Sequence, residues 1–387
     1  MKLGVPREIA AGETRVAATP ETVRRYVGKG LEVLVEASAG ERSSIRDEEF
    51  RSAGAQVVAD AAAVLGRADM VVKINAPTTD DLLGRNELAM FKAGQVLVAP
   101  FLPLVNHELV RKLAAAGVTS LSLDMIPRTT RAQAMDVLSS MSTLAGYKAV
   151  LLAADNLPRM CPLMMTAAGT LRPATALVIG AGVAGLQAIA TAKRIGAVVT
   201  AIDVRPAVRE QVESLGAKYV SMEVHHEAET AAGYARDLGE EFYRAEQEII
   251  APHARGADMI VATAMVPGRP APVLITEKMV REMKPGTVIV DLAASAGGNC
   301  GLTQPGKTVE HHGVRIIGAV NLPATLPVHA SQMFARNVAA FLGELIDERG
   351  QLNMDVANEV VRSSLITQQG RIVHEAVRQA CGAEAQQ

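Results

Sequence analysis

The chain has 387 residues, enough for two domains of ordinary size. Apolar side chains make up 49% and charged ones 21%, which supplies sizeable cores and excludes a disordered or fibrous chain. The 39 basic and 41 acidic side chains nearly cancel and aromatics are only 3%, so the field and the stacking platforms of a nucleic-acid-binding protein are both missing.

From the N-terminus, Leu3–Val5, Val33–Val35, Met70–Ile74, Val96–Ala99 and Thr119–Leu123 read as strands, with helices Glu21–Gly28, Asp47–Ala53 and His107–Ala116 between them. A long helical pattern follows over about Ala132–Ala154. A second series of strands comprises Ala176–Ile179, Val198–Ile202, Met259–Thr263, Val288–Leu292 and Val314–Ile317. Gly182–Ile195, Glu210–Leu215 and Glu277–Met283 are its helices, and His329–Asp347 is a further long helical pattern. Such alternation predicts parallel strands joined by crossover helices. The expected fold is therefore α/β, with two Rossmann-like, doubly wound parallel-sheet domains joined by the two long helices. The expected division is a discontinuous first domain, residues 1–144 with 327–387, and an inserted second domain over 145–326.

The N-terminus carries charges within its first seven residues and no apolar core of signal length, so no export signal is expected. The apolar runs Val96–Val105 and Ala145–Ala154 fall short of the ~18–20 residues of a membrane span. Cys161, Cys300 and Cys381 lie far apart and form no CxxC pair, so no disulfide framework is expected either. These features predict a soluble, cytosolic chain. His225-His226 and His311-His312 are adjacent pairs whose side chains diverge, and no metal site is expected. The stretch His225–Glu248 is unusually polar and reads as a mobile loop running into a helix.

The strongest local signal is Leu177-Val178-Ile179-Gly180-Ala181-Gly182-Val183-Ala184-Gly185, an apolar strand running into GxGxxG and then a helix. Gly180 allows the tight turn, Gly182 lets backbone approach a pyrophosphate, and Gly185 lets helix pack on strand. The free N–H groups of the helix start, with Ala181 and Val183 beside the glycines, offer partial positive charge to that pyrophosphate. The next strand ends in Asp203, 23 residues after Gly180, where a carboxylate takes ribose hydroxyls and repels a 2′-phosphate. NAD(H) is therefore favoured over NADP(H), with Val204 adjoining the same site. Arg205 works against that preference, because an arginine there accepts a 2′-phosphate.

These residues, with KLGVPREIAAGETRVAATPETV, RTTRAQAMDVLSSMSTLAGYKAV, MMTAAGT, PGRPAPVLIT and VDLAASAGGNC, carry a family resemblance. From residue 1 to about residue 375 the chain resembles the NAD(H)-binding alpha subunit of proton-translocating NAD(P) transhydrogenase. Arg128–Tyr147 is the most specific stretch. The N-terminal and glycine-rich blocks are shared with alanine dehydrogenases, which have the same two-domain plan. In the transhydrogenase family the RxxRAQxMDxLSS segment reaches the bound nicotinamide, which implicates Arg128, Gln133, Asp136 and Ser139. Arg128, Gln133 and Asp136 are thereby the candidate catalytic residues, orienting the carboxamide and the nicotinamide ribose. Read by themselves, Arg131 and Asp136 are an exposed helix pair. Gly233 and Tyr234 fall in a segment resembling the family's mobile loop, which closes over bound nucleotide. Met265 matches a family position near the cofactor, although alone it reads as packing.

Alanine dehydrogenases need a lysine, a histidine and a carboxylate to move protons at nitrogen and oxygen while hydride leaves carbon. At the matching places this chain has Asn75, Pro103 and Ser295, none of which shuttles a proton at neutral pH. Arg15, which grips the substrate carboxylate in alanine dehydrogenases, remains, but both families share it. Lys73 reads as a packed or snorkelling lysine at a strand end. Ser295 also departs from the acidic residue common there in transhydrogenase subunits. Hydride transfer between two nicotinamides needs no proton at the reacting carbon, so the losses agree with that reading.

The resemblance implies NAD(H) here, NADP(H) on a partner subunit, membrane-embedded partners, a homodimer, and a peripheral position on the cytoplasmic face. Two other readings stay open. One is a stand-alone amino-acid dehydrogenase of alanine type, and the other is an NAD-binding regulatory module without hydride chemistry.

Overall fold

The computed structural model describes residues 1–79, 85–221, 239–265 and 269–382. The chain opens with β1 (Lys2–Val5), α1 (Pro20–Gly28), β2 (Glu32–Glu36), α2 (Asp47–Ser52), β3 (Gln56–Val58), α3 (Ala61–Leu65), β4 (Met70–Val72), β5 (Val96–Ala99), α4 (His107–Ala115) and β6 (Thr119–Ser122). Helix starts follow local chemistry. Thr19 and Thr22 exchange side-chain bonds ahead of α1, which Pro20 enters, and Asp60 accepts the Ala63 N–H at 2.8 Å ahead of α3. The predicted strand Thr119–Leu123 ends one residue early, because Leu123–Met125 turns into a 3₁₀ helix.

The long pattern Ala132–Ala154 is two elements. A 3₁₀ helix, Thr130–Met135, stops where Asp136 adopts an extended conformation, and α5 (Val137–Asn156) starts beyond it. By length and composition α5 passes as a membrane span, which corrects the shorter apolar run read from the sequence. A helix tolerates its serines and threonines without ending, whereas a count of consecutive apolar residues does not. Its buried side chains Val137, Ala149, Val150 and Ala153 belong to protein cores, and Lys148 and Asp155 interrupt its length.

Beyond α5 come a hairpin, β7 (Met164–Thr166) and β8 (Gly169–Leu171), then β9 (Thr175–Ile179), α6 (Val183–Arg194), β10 (Val198–Ile202), α7 (Arg209–Ser214) and β11 (Lys218–Val220). The series continues through α8 (Glu240–Gly256), β12 (Met259–Ala262), α9 (Glu277–Arg281), β13 (Val288–Asp291), β14 (Thr308–His311) and β15 (Val314–Gly318). The chain closes with α10 (Pro327–Leu345), α11 (Glu359–Ser364), β16 (Leu365–Gln368), β17 (Arg371–Ile372) and α12 (Glu375–Ala380).

Two compact units result, one of Met1–Met141 with Ala324–Gln387 and the other of Ser142–Pro323. The first holds an eight-stranded sheet in the order β17-β16-β6-β5-β4-β1-β2-β3. The second holds a seven-stranded sheet in the order β11-β10-β9-β12-β13-β15-β14. Each is parallel through its centre and antiparallel at one edge, at β16 and β17 in the first and β14 in the second. The antiparallel edges, the short outer strands β3 and β11, and the hairpin depart from the purely parallel expectation. Each is too short or too polar to give a strand pattern by itself. Central strands such as β5 and β12 are buried along their whole length, as parallel strands covered on both faces must be.

Candidate functional site

In the second unit the strand order reverses between β9 and β12, and a crevice opens there beyond the carboxyl ends of the strands. The glycine-rich turn sits at that place. Gly180, at φ +89°, has the left-handed backbone that a side chain would resist, and its N–H donates to the Ile202 carbonyl at 2.8 Å. A Cβ on Gly185 would stand 1.8 Å from the Gly180 carbonyl oxygen, so only glycine lets α6 close on the turn. Gly182 faces the other way, where a Cβ would meet nothing nearer than the Arg205 guanidinium at 3.9 Å. Gly182 is also the residue preceding α6, and no side chain among the described residues caps that helix. An uncapped helix start behind an open glycine fits a pyrophosphate.

Asp203 follows β10, as predicted, with four donors around its carboxylate. Oδ1 accepts the Arg205 backbone N–H at 2.8 Å and Nε at 2.9 Å. Oδ2 accepts the Ala181 N–H at 2.6 Å and Arg205 Nη2 at 2.9 Å. A carboxylate offers about four acceptor positions, so Asp203 is saturated by its own chain. Tyr219 on β11 completes the corner, its hydroxyl donating to the Asp203 carbonyl at 2.9 Å. Gly180, Ala181, Gly182, Val183, Gly185, Asp203, Val204 and Arg205 are thus gathered at the ends of β9 and β10. Met265 lies past β12 and is 48% exposed, which corrects the packing reading. Gly233 and Tyr234, in the segment expected to form a mobile loop, lie outside the described residues.

Four side chains that the motif did not reveal support this crevice. Thr263 donates to the carbonyls of Ile179 and Gly180, tying the end of β12 to the turn. Asn299, fully buried, holds both backbone groups of Ala264, accepting at 3.0 Å and donating at 2.8 Å. Asp291 accepts from Cys300 N–H and Thr303 Oγ1 and fixes the Gly-Gly loop in which Ser295 is exposed. Burial pushes the Asp291 carboxyl up, against those hydrogen bonds. Glu246 on α8 is only 5% exposed, and burial followed by the charge of Asp203 pushes its carboxyl up to about 8. The sequence signal for Asp291 and Asn299 was a polar residue interrupting an apolar run. Glu246 gave no signal, lying in a polar stretch among many charges.

In the first unit, Arg128, Gln133, Asp136 and Ser139 lie along the segment from β6 into α5. Asp136 receives the Ser139 N–H at 2.9 Å and also the Ser139 hydroxyl, so the pair caps α5. Arg131 pairs with Glu344 of α10 at 2.5 Å and not with Asp136, which corrects the helix-pair reading. Gln133 and Arg128 are exposed. Lys73 is buried and does not snorkel: its ammonium lies 2.9 Å from Glu87 and 3.3 Å from Glu8, each itself nearly inaccessible. Burial alone would strip Lys73 of its proton, and the two carboxylates reverse that and hold it charged. Asn75 donates to Glu8 at 3.1 Å and to Glu13 at 3.0 Å. Arg15 grips Glu13 with two parallel bonds of 2.7 and 2.6 Å.

Comparison with known proteins matches both halves of the chain to one family. The alanine dehydrogenase/PNT N-terminal domain covers residues 4–145 and the C-terminal domain of the same family covers residues 149–375. The chain is 48% identical over 380 residues to the first piece of the divided NAD(P) transhydrogenase subunit alpha of Rhodospirillum rubrum, covering 97% of this chain and 99% of the relative. It is 29% identical over 392 residues to the alanine dehydrogenase of Bacillus subtilis, covering 99% and 96%. Among solved structures, the transhydrogenase of Sinorhizobium meliloti superposes with a TM-score of 0.83 at 40% identity, covering 97% of this chain and all of the other.

Proposed function

Because this chain belongs to the alanine dehydrogenase/PNT family, we propose that it is the NAD(H)-binding subunit of a proton-translocating NAD(P) transhydrogenase. Bound NADH supplies a hydride, which passes to NADP held by a partner subunit. The observation that carries this reading is an open dinucleotide turn at Gly180–Gly185 in a chain without the proton-shuttling set. Asn75, Pro103 and Ser295 stand where an amino-acid dehydrogenase uses a lysine, a histidine and an aspartate, and Asn75 is held as a hydrogen-bond donor by Glu8 and Glu13. Nothing at those positions moves a proton, and a nicotinamide-to-nicotinamide transfer asks for none.

The protein's own role is binding, orientation and exclusion of water. The turn and the start of α6 hold the pyrophosphate, and Asp203, Val204 and Arg205 bound the adenosine end. Arg128, Gln133, Asp136 and Ser139 are assigned to the nicotinamide end, with Gly233 and Tyr234 in a closing loop and Met265 beside the cofactor. The name of the Rhodospirillum relative makes it one piece of a divided alpha subunit, which supports partner chains here. Those partners hold NADP(H) and the membrane-embedded proton path, with this chain on the cytoplasmic face. A homodimer is also proposed. The hairpin β7–β8 supports it, being exposed throughout with Met165 77% and Leu171 50% accessible.

The test is reconstitution. The chain mixed with an NADP(H)-binding partner subunit transfers hydride from NADPH to an NAD analogue, and the chain alone with NADH, pyruvate and ammonia does not oxidise NADH. Rapid oxidation in the second mixture overturns the proposal in favour of an amino-acid dehydrogenase. NADH binding without transfer in the first reduces the chain to a binding module.

A further inference from the structure

Helix α8 crosses back from β11 to β12, so its N-terminal turns lie at the carboxyl ends of the parallel strands, where Asp203 stands. Ile250 of α8 packs with Ile179, Ile202 and Ile260 in the core beneath that edge. Glu246 precedes Ile250 by four residues, one helical turn nearer the edge and on the same buried face. It is 5% exposed, and no described group hydrogen-bonds to it. An unpartnered buried carboxyl is costly to keep. Beside it Asp203, the acid that the motif assigns to ribose, has all four acceptor positions filled by Ala181 and Arg205.

We infer that Glu246 is the second carboxyl of the adenosine-ribose subsite and the group that hydrogen-bonds the ribose hydroxyls, because Asp203 has no acceptor left for them. The inference rests on the NAD(H) reading above and adds a residue to it. A carboxylic acid that keeps its proton serves a diol well, donating to one hydroxyl oxygen while its carbonyl oxygen accepts from the other. The groups around this corner favour that form. Asp203 and Arg205 lie after β10, Tyr219 and Lys218 on β11, and Tyr243 and His253 on α8 itself. Of these, Asp203 is the charge that acts on Glu246, and burial acts in the same direction, so the carboxyl titrates at about 8. The consequence is that nucleotide binding requires one proton.

The experiment measures NADH dissociation constants from pH 6.5 to 9.5 by fluorescence, for the full chain and for Glu246→Gln, which imitates the protonated acid. Wild type is expected to bind evenly up to about pH 8 and then weaken about tenfold per pH unit. Glu246→Gln is expected to match it within about twofold at pH 7 and to stay flat across the range. Glu246→Met, of similar volume and without a buried hydrogen-bonding group, is expected to bind about tenfold more weakly at every pH. A flat wild-type profile, a variant that keeps the wild-type slope, or a Glu246→Met protein that binds as wild type overturns the inference. A wild-type chain that binds no NADH at pH 7 overturns the functional reading instead.

Discussion

The two units contain the same local device in different settings. Glu13 and Arg15 in the first, and Asp203 and Arg205 in the second, are each an acid followed two residues later by an arginine that folds back on it through Nε and Nη2. In both pairs the arginine backbone N–H also donates to the acid, at 3.0 and 2.8 Å. Around Glu13 the remaining donors are protein groups, Asn75 and the Thr14 N–H, in a buried network that continues to Glu8, Lys73 and Glu87. Around Asp203 the neighbours are a glycine turn, an uncapped helix start and Glu246, which has no partner among the described residues. A closed ring of partners makes the first pair an element of stability. Incomplete satisfaction around the second makes it an element of binding.

Substitutions that respect this division read out differently in the two units. The largest effect is expected from Lys73→Met, which leaves Glu8 and Glu87 buried without their cation. It should cost about 3–5 kcal/mol in urea unfolding and leave the NADH affinity of the folded fraction unchanged. A loss of affinity with intact stability would break the comparison. Next comes acid titration of Glu13. Burial pushes its carboxyl up, but Arg15, with help from Asn75, pulls it down to about 2 from an ordinary 4.5. A depressed carboxyl stabilises the fold above its unfolded value and loses that contribution as pH falls towards the folded one. The stability gap between wild type and Glu13→Gln should therefore narrow by about 3 kcal/mol between pH 5 and pH 2.

In the second unit Gly185→Ala drives a methyl group into the Gly180 carbonyl and displaces the turn. NADH affinity is expected to fall about 100-fold, about 2.7 kcal/mol, by fluorescence titration, against a stability cost of about 1–3 kcal/mol. An unchanged affinity would mean that the turn is not where nucleotide binds. The smallest effect belongs to Arg131→Ala. Its ion pair with Glu344 leaves the arginine 65% exposed, and calorimetry should find under about 1 kcal/mol of lost stability.

Some of this organisation was plain in the residue order. Strands such as β5 and β10 occupy the predicted residues, because a continuous run of β-branched and apolar side chains between turn residues admits little else. The turn at Gly180–Gly185 was legible for a related reason: strand, turn and helix start are contiguous, and the glycines answer steric demands made by residues within five positions of them. The edge strands β14 and β16 were not legible, since their place in a sheet is decided by which neighbour offers unpaired backbone.

The sequence by itself determined the α/β class, the dinucleotide turn and the loss of a proton-shuttling set at Asn75, Pro103 and Ser295, all of which depend on residue type at near positions. The tertiary structure alone decided which charges are closed off and which remain open. Lys73 is neutralised by carboxylates 65 residues before it and 14 after it. Asp203 is filled by its near neighbour Arg205 and by Ala181, while Glu246, 43 residues further on, is carried by α8 to the same corner without a partner among the described residues. A charge is satisfied or left unsatisfied only by what folding brings within about 3 Å, and that distance is invisible along the chain.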